Sequence, residues 1–234
     1  MLFFMRNSVT IPGRTEPAGL SGTMEENAYS GVSGAMAPVT LFQREEETFS
    51  GADREISPKP ECVLCLGFFD GVHLGHQELI REACRVREKT GLAVYVHTFE
   101  VPPAAVLTGN APACLTDNAR KEALLLACGA DRVIFDPFDR ETSALTGKEY
   151  FENRLLARYG CRHIVAGEDH RFGRDGDTGA AELRALCALH GIGLSLIAPV
   201  CTPDGQRVSS SRIRRAIENG ETALAACMLG RPEL

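Results

Sequence analysis

From Glu61 onward, short apolar runs alternate with amphipathic stretches, and this alternation limits the chain's folds more than any other feature. The spacing predicts strands over 63–66, 93–99, 132–135, 163–166 and 194–200. Between them it predicts helices over 75–89, 117–128, 146–159 and 181–190, then a final helical pair over 212–219 and 222–229. Leu79, Ile80, Ala83 and Val86 share one face of the first helix. Gly129 and Gly160 supply helix stops, and Thr146 with Glu149 a capping box. Pro203-Asp204-Gly205 is a turn signal that closes a short hairpin, and residues 167–179 form a glycine-rich, charged loop. Strand and helix that alternate about five times make βαβ units: an α/β fold, with a parallel sheet and helices on both faces.

Residues 1–60 differ from the rest. They are rich in Gly, Ser, Thr, Pro and Glu, and read as a flexible extension in which 39–42 is the one short strand. Met24 and Met36 offer alternative starts. No repeat or heptad pattern occurs. The apolar start, Met1 to Met5, lacks the basic lead and long apolar core of a secretory signal, and no apolar run approaches the roughly 20 residues of a membrane helix. The net charge of −6 argues against an extended nucleic-acid surface. Nine scattered cysteines without an export signal read as reduced thiols of a cytoplasmic protein. Cys62 and Cys65 make a C-x-x-C, but positions three apart in a strand face opposite sides, so the reading there is no metal site.

In such sheets ligands bind beyond the carboxyl ends of the strands, near the switch in strand order. Four motifs fall there: residues 67–76, 99–103, 167–173 and 209–214. The first places His73 and His76 where a strand hands over to a helix. Free N–H groups and the positive end of a helix dipole make that a polyphosphate site. Gly75 lets the backbone approach a phosphate. The plainer reading is two surface histidines at a helix start. For Ser209, Ser210 and Ser211 the plainer reading is a helix N-cap, but Arg207, Arg212, Arg214 and Arg215 around them in an acidic protein favour a phosphate site.

The run Gly67-Phe68-Phe69-Asp70-Gly71-Val72-His73-Leu74-Gly75-His76 closely resembles the amino-terminal domain of the bacterial FAD synthetase family, bifunctional riboflavin kinases and FMN adenylyltransferases. His73 and His76 also resemble the His-x-Gly-His signature of the wider nucleotidyltransferase superfamily. The likeness continues through Thr98-Phe99-Glu100, Pro137-Phe138-Asp139, Val165 to Asp169, Arg171-Phe172-Gly173, Arg207 to Arg214 and Leu229-Gly230-Arg231-Pro232. It implies a Rossmann-like nucleotidyltransferase domain over 61–234 that makes FAD and pyrophosphate from ATP and FMN. His73, His76 and Arg214 are then the catalytic candidates. Gly67, Phe69, Asp70, Gly71 and Gly75 cradle ATP, and Ser209, Ser210, Ser211 and Arg212 close it from the other side. Asp169, Phe172 and Arg207 are the flavin-side candidates. Mg²⁺ arrives with ATP. Asp70 is the nearest carboxylate to it, with bracing of the turn as its other role.

Three departures stand out. Phe99-Glu100-Val101-Pro102-Pro103 lacks the family's first proline, and His170 stands where an aromatic such as Phe is usual. The chain also stops soon after Gly230-Arg231-Pro232, without the riboflavin kinase segment, so the resemblance is to the adenylyltransferase half alone. A truncated chain gives the same picture. Two other readings compete: an adenylyl- or cytidylyltransferase for another phosphorylated substrate, and a non-catalytic flavin or nucleotide sensor.

Overall fold

The computed structural model describes residues 61–232. The flexible extension expected over 1–60, with its strand at 39–42, lies outside the described residues. Five strands form one all-parallel sheet: β1 (Cys62–Leu66), β2 (Ala93–Phe99), β3 (Arg132–Asp136), β4 (Cys161–Gly167) and β5 (Gly193–Ile197), in the order β3-β2-β1-β4-β5. The chain builds outward from β1 in one direction, then returns to its other side. The switch point therefore lies between β1 and β4.

The connections are helical. They are α1 (Leu74–Thr90), α2 (Pro103–Thr108), α3 (Asn118–Ala127), α4 (Arg140–Ala144), α5 (Gly147–Tyr150), α6 (Ala157–Tyr159), α7 (Ala180–Leu189), α8 (Ser210–Glu218) and α9 (Thr222–Leu229). A π-helical stretch, Phe151–Leu156, joins α5 to α6. The period of two along β1 splits the core. Val63 and Cys65 point to the layer of α1 and α3, and Cys62, Leu64 and Leu66 to the layer of α5, α6 and α7. The buried residues of α1 are Leu79, Ile80, Ala83 and Val86, the face read from the sequence. Leu79, Ile80 and Val86 each contribute about 1.5–3 kcal/mol by this burial, and Ala83 less. A third cluster, from Val208 through Ile213 to Met228, packs α8 on α9.

Local chemistry sets the ends. Thr146 Oγ1 accepts from the Glu149 N–H at 3.3 Å, and Glu149 Oε2 accepts from the Thr146 N–H at 2.8 Å, the expected capping box. Gly160 ends the helical rod with φ 61°. The hairpin forms as an antiparallel bridge between Cys201 and Arg207. Cys62 and Cys65 do face opposite sides, their sulfurs bonded to the carbonyls of Tyr159 and Leu79. One boundary and one added element stand out against expectation. β5 stops at Ile197 rather than running to 200, because Pro199 has no N–H for a ladder. A helix, α2, occupies a stretch to which the sequence reading assigned no element, with Pro103 at its first turn, where no N–H is needed. Among the described residues no helix is long and apolar enough to cross a membrane.

Candidate active site

Beyond Leu66 the chain turns sharply into α1, with Phe69, Gly71 and Val72 all at positive φ (57°, 77° and 41°). Such angles strain residues with a Cβ, valine most of all. A web of polar bonds holds the turn. Asp70 Oδ1 accepts from the N–H groups of Leu115 (2.7 Å) and Thr116 (3.4 Å), and Gly71 N–H donates to Thr116 Oγ1 at 3.2 Å. From the far end of the chain, Arg231 donates to the carbonyls of Gly71 (2.8 Å) and Val72 (3.2 Å). Ser210 Oγ donates to the Asp70 carbonyl at 2.9 Å, and Arg214 to Asp70 Oδ2 at 2.6 Å.

The turn delivers the two imidazoles. His73, 7% exposed, is the N-cap of α1, and its Nδ1 accepts from the His76 N–H at 3.4 Å. That bond leaves the His73 proton on Nε2, a neutral donor. The rings stack, centroids 3.6 Å apart and 14° from parallel. Burial pushes His73 down to about 4, with the positive charges of Arg207 and Arg231 adding to it. Burial, then His73 and Lys121, hold His76 well below the usual histidine range. Of the two forms open to these imidazoles, cationic or neutral donor, the free protein favours the neutral one. His76 Nδ1 is buried with no hydrogen-bond partner among the described residues.

Three adjoining cavities open over the carboxyl ends of the strands. One, about 260 Å³, lies between the ends of β1, β4 and β5 and is lined by Gly67, His73, Gly75, His76, Asp169 and Arg207 among others. Asp169 and Arg207 pair across it. A second, about 270 Å³, is mainly apolar, walled by Phe99, Leu107, Phe138, Tyr150 and Phe172. A third, about 240 Å³, is lined by Phe69, Asp70, His76, Ser210 and Arg214. Gly67 and His170 border the first two; Phe68 and His76 border the first and third. His76 and Arg214, 138 positions apart in number, thus share one cavity.

Four expected site residues line none of the three. Gly71 is packed against Leu115, which a Cβ there would approach to 2.7 Å. Ser209 is the N-cap of α8, accepting from the Arg212 N–H at 3.2 Å, the plainer of its two readings. Ser211 is exposed. Arg212 turns to the hairpin, donating to Thr202 Oγ1 at 2.6 Å and to Asp204 Oδ2 at 2.9 Å.

The structure also adds residues that the sequence reading passed over, and places His170, noted there only as a departure, beside them. At the apolar cavity His97 Nε2 sits 2.8 Å from Asp136 Oδ2 and 3.3 Å from the Tyr150 hydroxyl. Tyr159 and Arg158 donate to Asp136 Oδ1 at 2.6 and 3.1 Å. Burial works to raise the Asp136 carboxyl, but the bonds from His97 and Tyr159 and the charge of Arg158 hold it below the usual range. His170 lines the same cavity and is pushed down to about 4 by burial. The one hint in sequence was that His97 and Asp136 both stand near the carboxyl ends of strands.

A family model for FAD synthetase matches residues 55–212. The chain belongs to the FAD synthetase family. The bifunctional riboflavin kinase/FMN adenylyltransferase of Escherichia coli (strain K12) is 33% identical over 177 residues, 75% of this chain and 56% of that protein. The protein of the same description from Listeria monocytogenes is 35% identical over 175 residues, 73% of this chain and 54% of that one. The chain thus spans little more than half the length of these two FAD synthetase relatives. A solved structure described as a macrolide-efflux protein from Streptococcus pneumoniae superposes with a TM-score of 0.67 at 31% identity, over 73% of this chain and 57% of that one. The fold is the Rossmann-like nucleotidyltransferase fold of the family, a parallel sheet with helices on both faces.

Proposed function

We propose that this chain is an FMN adenylyltransferase, joining the AMP part of ATP to FMN with release of pyrophosphate. One observation carries the reading: His76 and Arg214 line one cavity, which adjoins both a polar cavity at the switch point and an apolar one. A dinucleotide product needs just these three environments, for phosphates, base and flavin ring. Phosphates fit the cavity of His76, Ser210 and Arg214, beside the amino terminus of α1. Adenine fits between the ends of β4 and β5, where Gly167 offers no side chain. The isoalloxazine fits among Phe99, Phe138, Tyr150 and Phe172, whose ring faces suit a flat aromatic system.

The chemistry asks for placement rather than a base. The FMN phosphate has a second pKa of about 6 and is mostly dianionic at neutral pH. Its oxygen attacks the α-phosphorus of ATP in line, a P–O bond forms, and the bond to the departing pyrophosphate breaks with its electron pair. The His73 Nε2–H, the His76 ring and the Arg214 guanidinium stabilise charge gathering on the leaving oxygens. Asp70 orients Arg214.

Mg²⁺ belongs to this reaction as the counter-ion of ATP. Asp70 is poorly suited to ligate it, since one oxygen takes Arg214 and the other two backbone N–H groups. Asp169 is likewise engaged by Arg207. No step here depends on a protein ligand to the metal.

The test is direct. Purified chain is mixed with FMN and Mg-ATP, and flavins are separated by chromatography. FAD with equimolar pyrophosphate is expected. Flavin and nucleotide binding without FAD would make the chain a sensor and overturn the proposal. Riboflavin in place of FMN tests for kinase activity.

A further inference from the structure

Lys121, on α3, is 1% exposed. Lysine is almost never so buried without a partner, because an ammonium gives up strong hydration. A lysine stem that merely covers apolar surface keeps its head in water, and this one does not. Among the described residues the ammonium forms no direct ion pair with a carboxylate, although the charge of Asp70 reaches it. It meets ring faces: Phe68, with the nitrogen 4.1 Å from the centroid, and Phe135 at 5.7 Å. Phe68 in turn borders both the polar cavity and the cavity of His76 and Arg214. A positive charge therefore stands one ring behind the surface read as the phosphate grip, though burial pulls the pKa of this ammonium below the ordinary lysine value. It is felt there: after burial and His73, the Lys121 charge is the remaining influence that keeps His76 neutral.

We propose that Lys121 is a positioning residue for the phosphate site, its buried ammonium fixing the Phe68 ring by a cation–π contact and lending the cavity a positive potential. The inference rests on the phosphate reading above. Phe68 presents the negative face of its quadrupole to the ammonium, which favours one ring orientation. A low-dielectric surround lets the charge act across the ring without the screening of water. The cost of burying an unpaired ammonium is then offset when a polyanion enters.

The test uses inorganic pyrophosphate as the probe and the full chain in three forms: wild type, K121M and K121R. Calorimetry should show K121M binding pyrophosphate about tenfold more weakly, with K121R within a few-fold of wild type. Ring NMR of K121M should show the His76 titration moving upward, since a positive neighbour is gone; a packing role would not move it. If wild type itself ignores pyrophosphate, the phosphate reading fails. If wild type binds and K121M matches it, with His76 unmoved, Lys121 only fills space and the proposal is overturned. Should K121M not fold, wild type labelled with ¹⁵N-lysine decides: the Lys121 Nζ signal must shift when pyrophosphate saturates the site, and an unmoved signal refutes the role.

Discussion

His73 does two jobs in this structure, and two substitutions separate them. Its Nδ1 caps α1, and its Nε2–H is left to face a ligand. H73A removes both. Loss of an N-cap costs typically about 1 kcal/mol, and the 3.4 Å bond to His76 N–H suggests no more than that here. The ring is also 7% exposed and stacked on His76 at 3.6 Å, so its removal costs about another 1 kcal/mol in burial and stacking. A total of about 2 kcal/mol lowers Tm by about 4–8 °C in a domain of this size. Turnover should suffer more, because a preorganised donor aimed at developing negative charge is worth about 10²–10³-fold. H73N restores a good capping oxygen but cannot reach the ligand with a donor. Thermal melts by circular dichroism should show H73N regaining about half the lost stability, while chromatographic FAD assays show turnover as low as in H73A. Were H73N to recover turnover together with stability, capping alone would explain the residue and the charge-stabilising role would be wrong.

Acid should weaken the fold in a window set by the histidines. His73 is held at about 4 against an ordinary 6.5, so between those values the unfolded chain binds more protons than the folded one. Its contribution is complete above pH 6.5 and is lost as pH falls through 4, by at most about 3 kcal/mol. Urea midpoints that stay flat from pH 7.5 to 4.5 would contradict this. G71A puts a Cβ at φ 77° and 2.7 Å from Leu115 Cδ1, and should cost about 1–3 kcal/mol in a urea melt. F172A removes a ring from the apolar cavity, where it lies 5.9 Å from Tyr150. It should weaken FMN binding about 10–100-fold, read by flavin fluorescence, with kcat changed far less; an unaltered Kd would move the flavin elsewhere.

Much of the fold was legible because it is written at short range. The alternation of strand and helix, the buried face of α1 and the opposed faces of Cys62 and Cys65 all follow from periods of 2 and 3.6. What escaped was what lacks a period. α2 has no buried residue, so no apolar stripe marks it, and the sequence reading assigned nothing there. Likewise β5 ended early at a proline whose effect the run of apolar residues masked. Lys121 went unremarked in the sequence, since nothing local says that Phe68 will lie across it.

The site divides the same way. His73, Gly75 and His76 are neighbours in sequence and were visible together, whereas their supports are remote: Arg214 reaches Asp70 from 144 residues away and Arg231 reaches Gly71 from 160. The arginines of α8 show how far local reasoning could have gone. Residues two apart on a helix point about 200° from each other, so Arg212 and Arg214 cannot both face one ligand. Packing chooses between them. Ile213 and Ala216 are buried against α9, which turns Arg214 to Asp70 and the cavity, and Arg212 to the hairpin. Which guanidinium meets the phosphates is thus decided by the apolar face of α8, and a single inserted residue between Ser209 and Arg212 would rotate the helix start by about 100° against that face and detach the Ser209 cap from the arginine it serves.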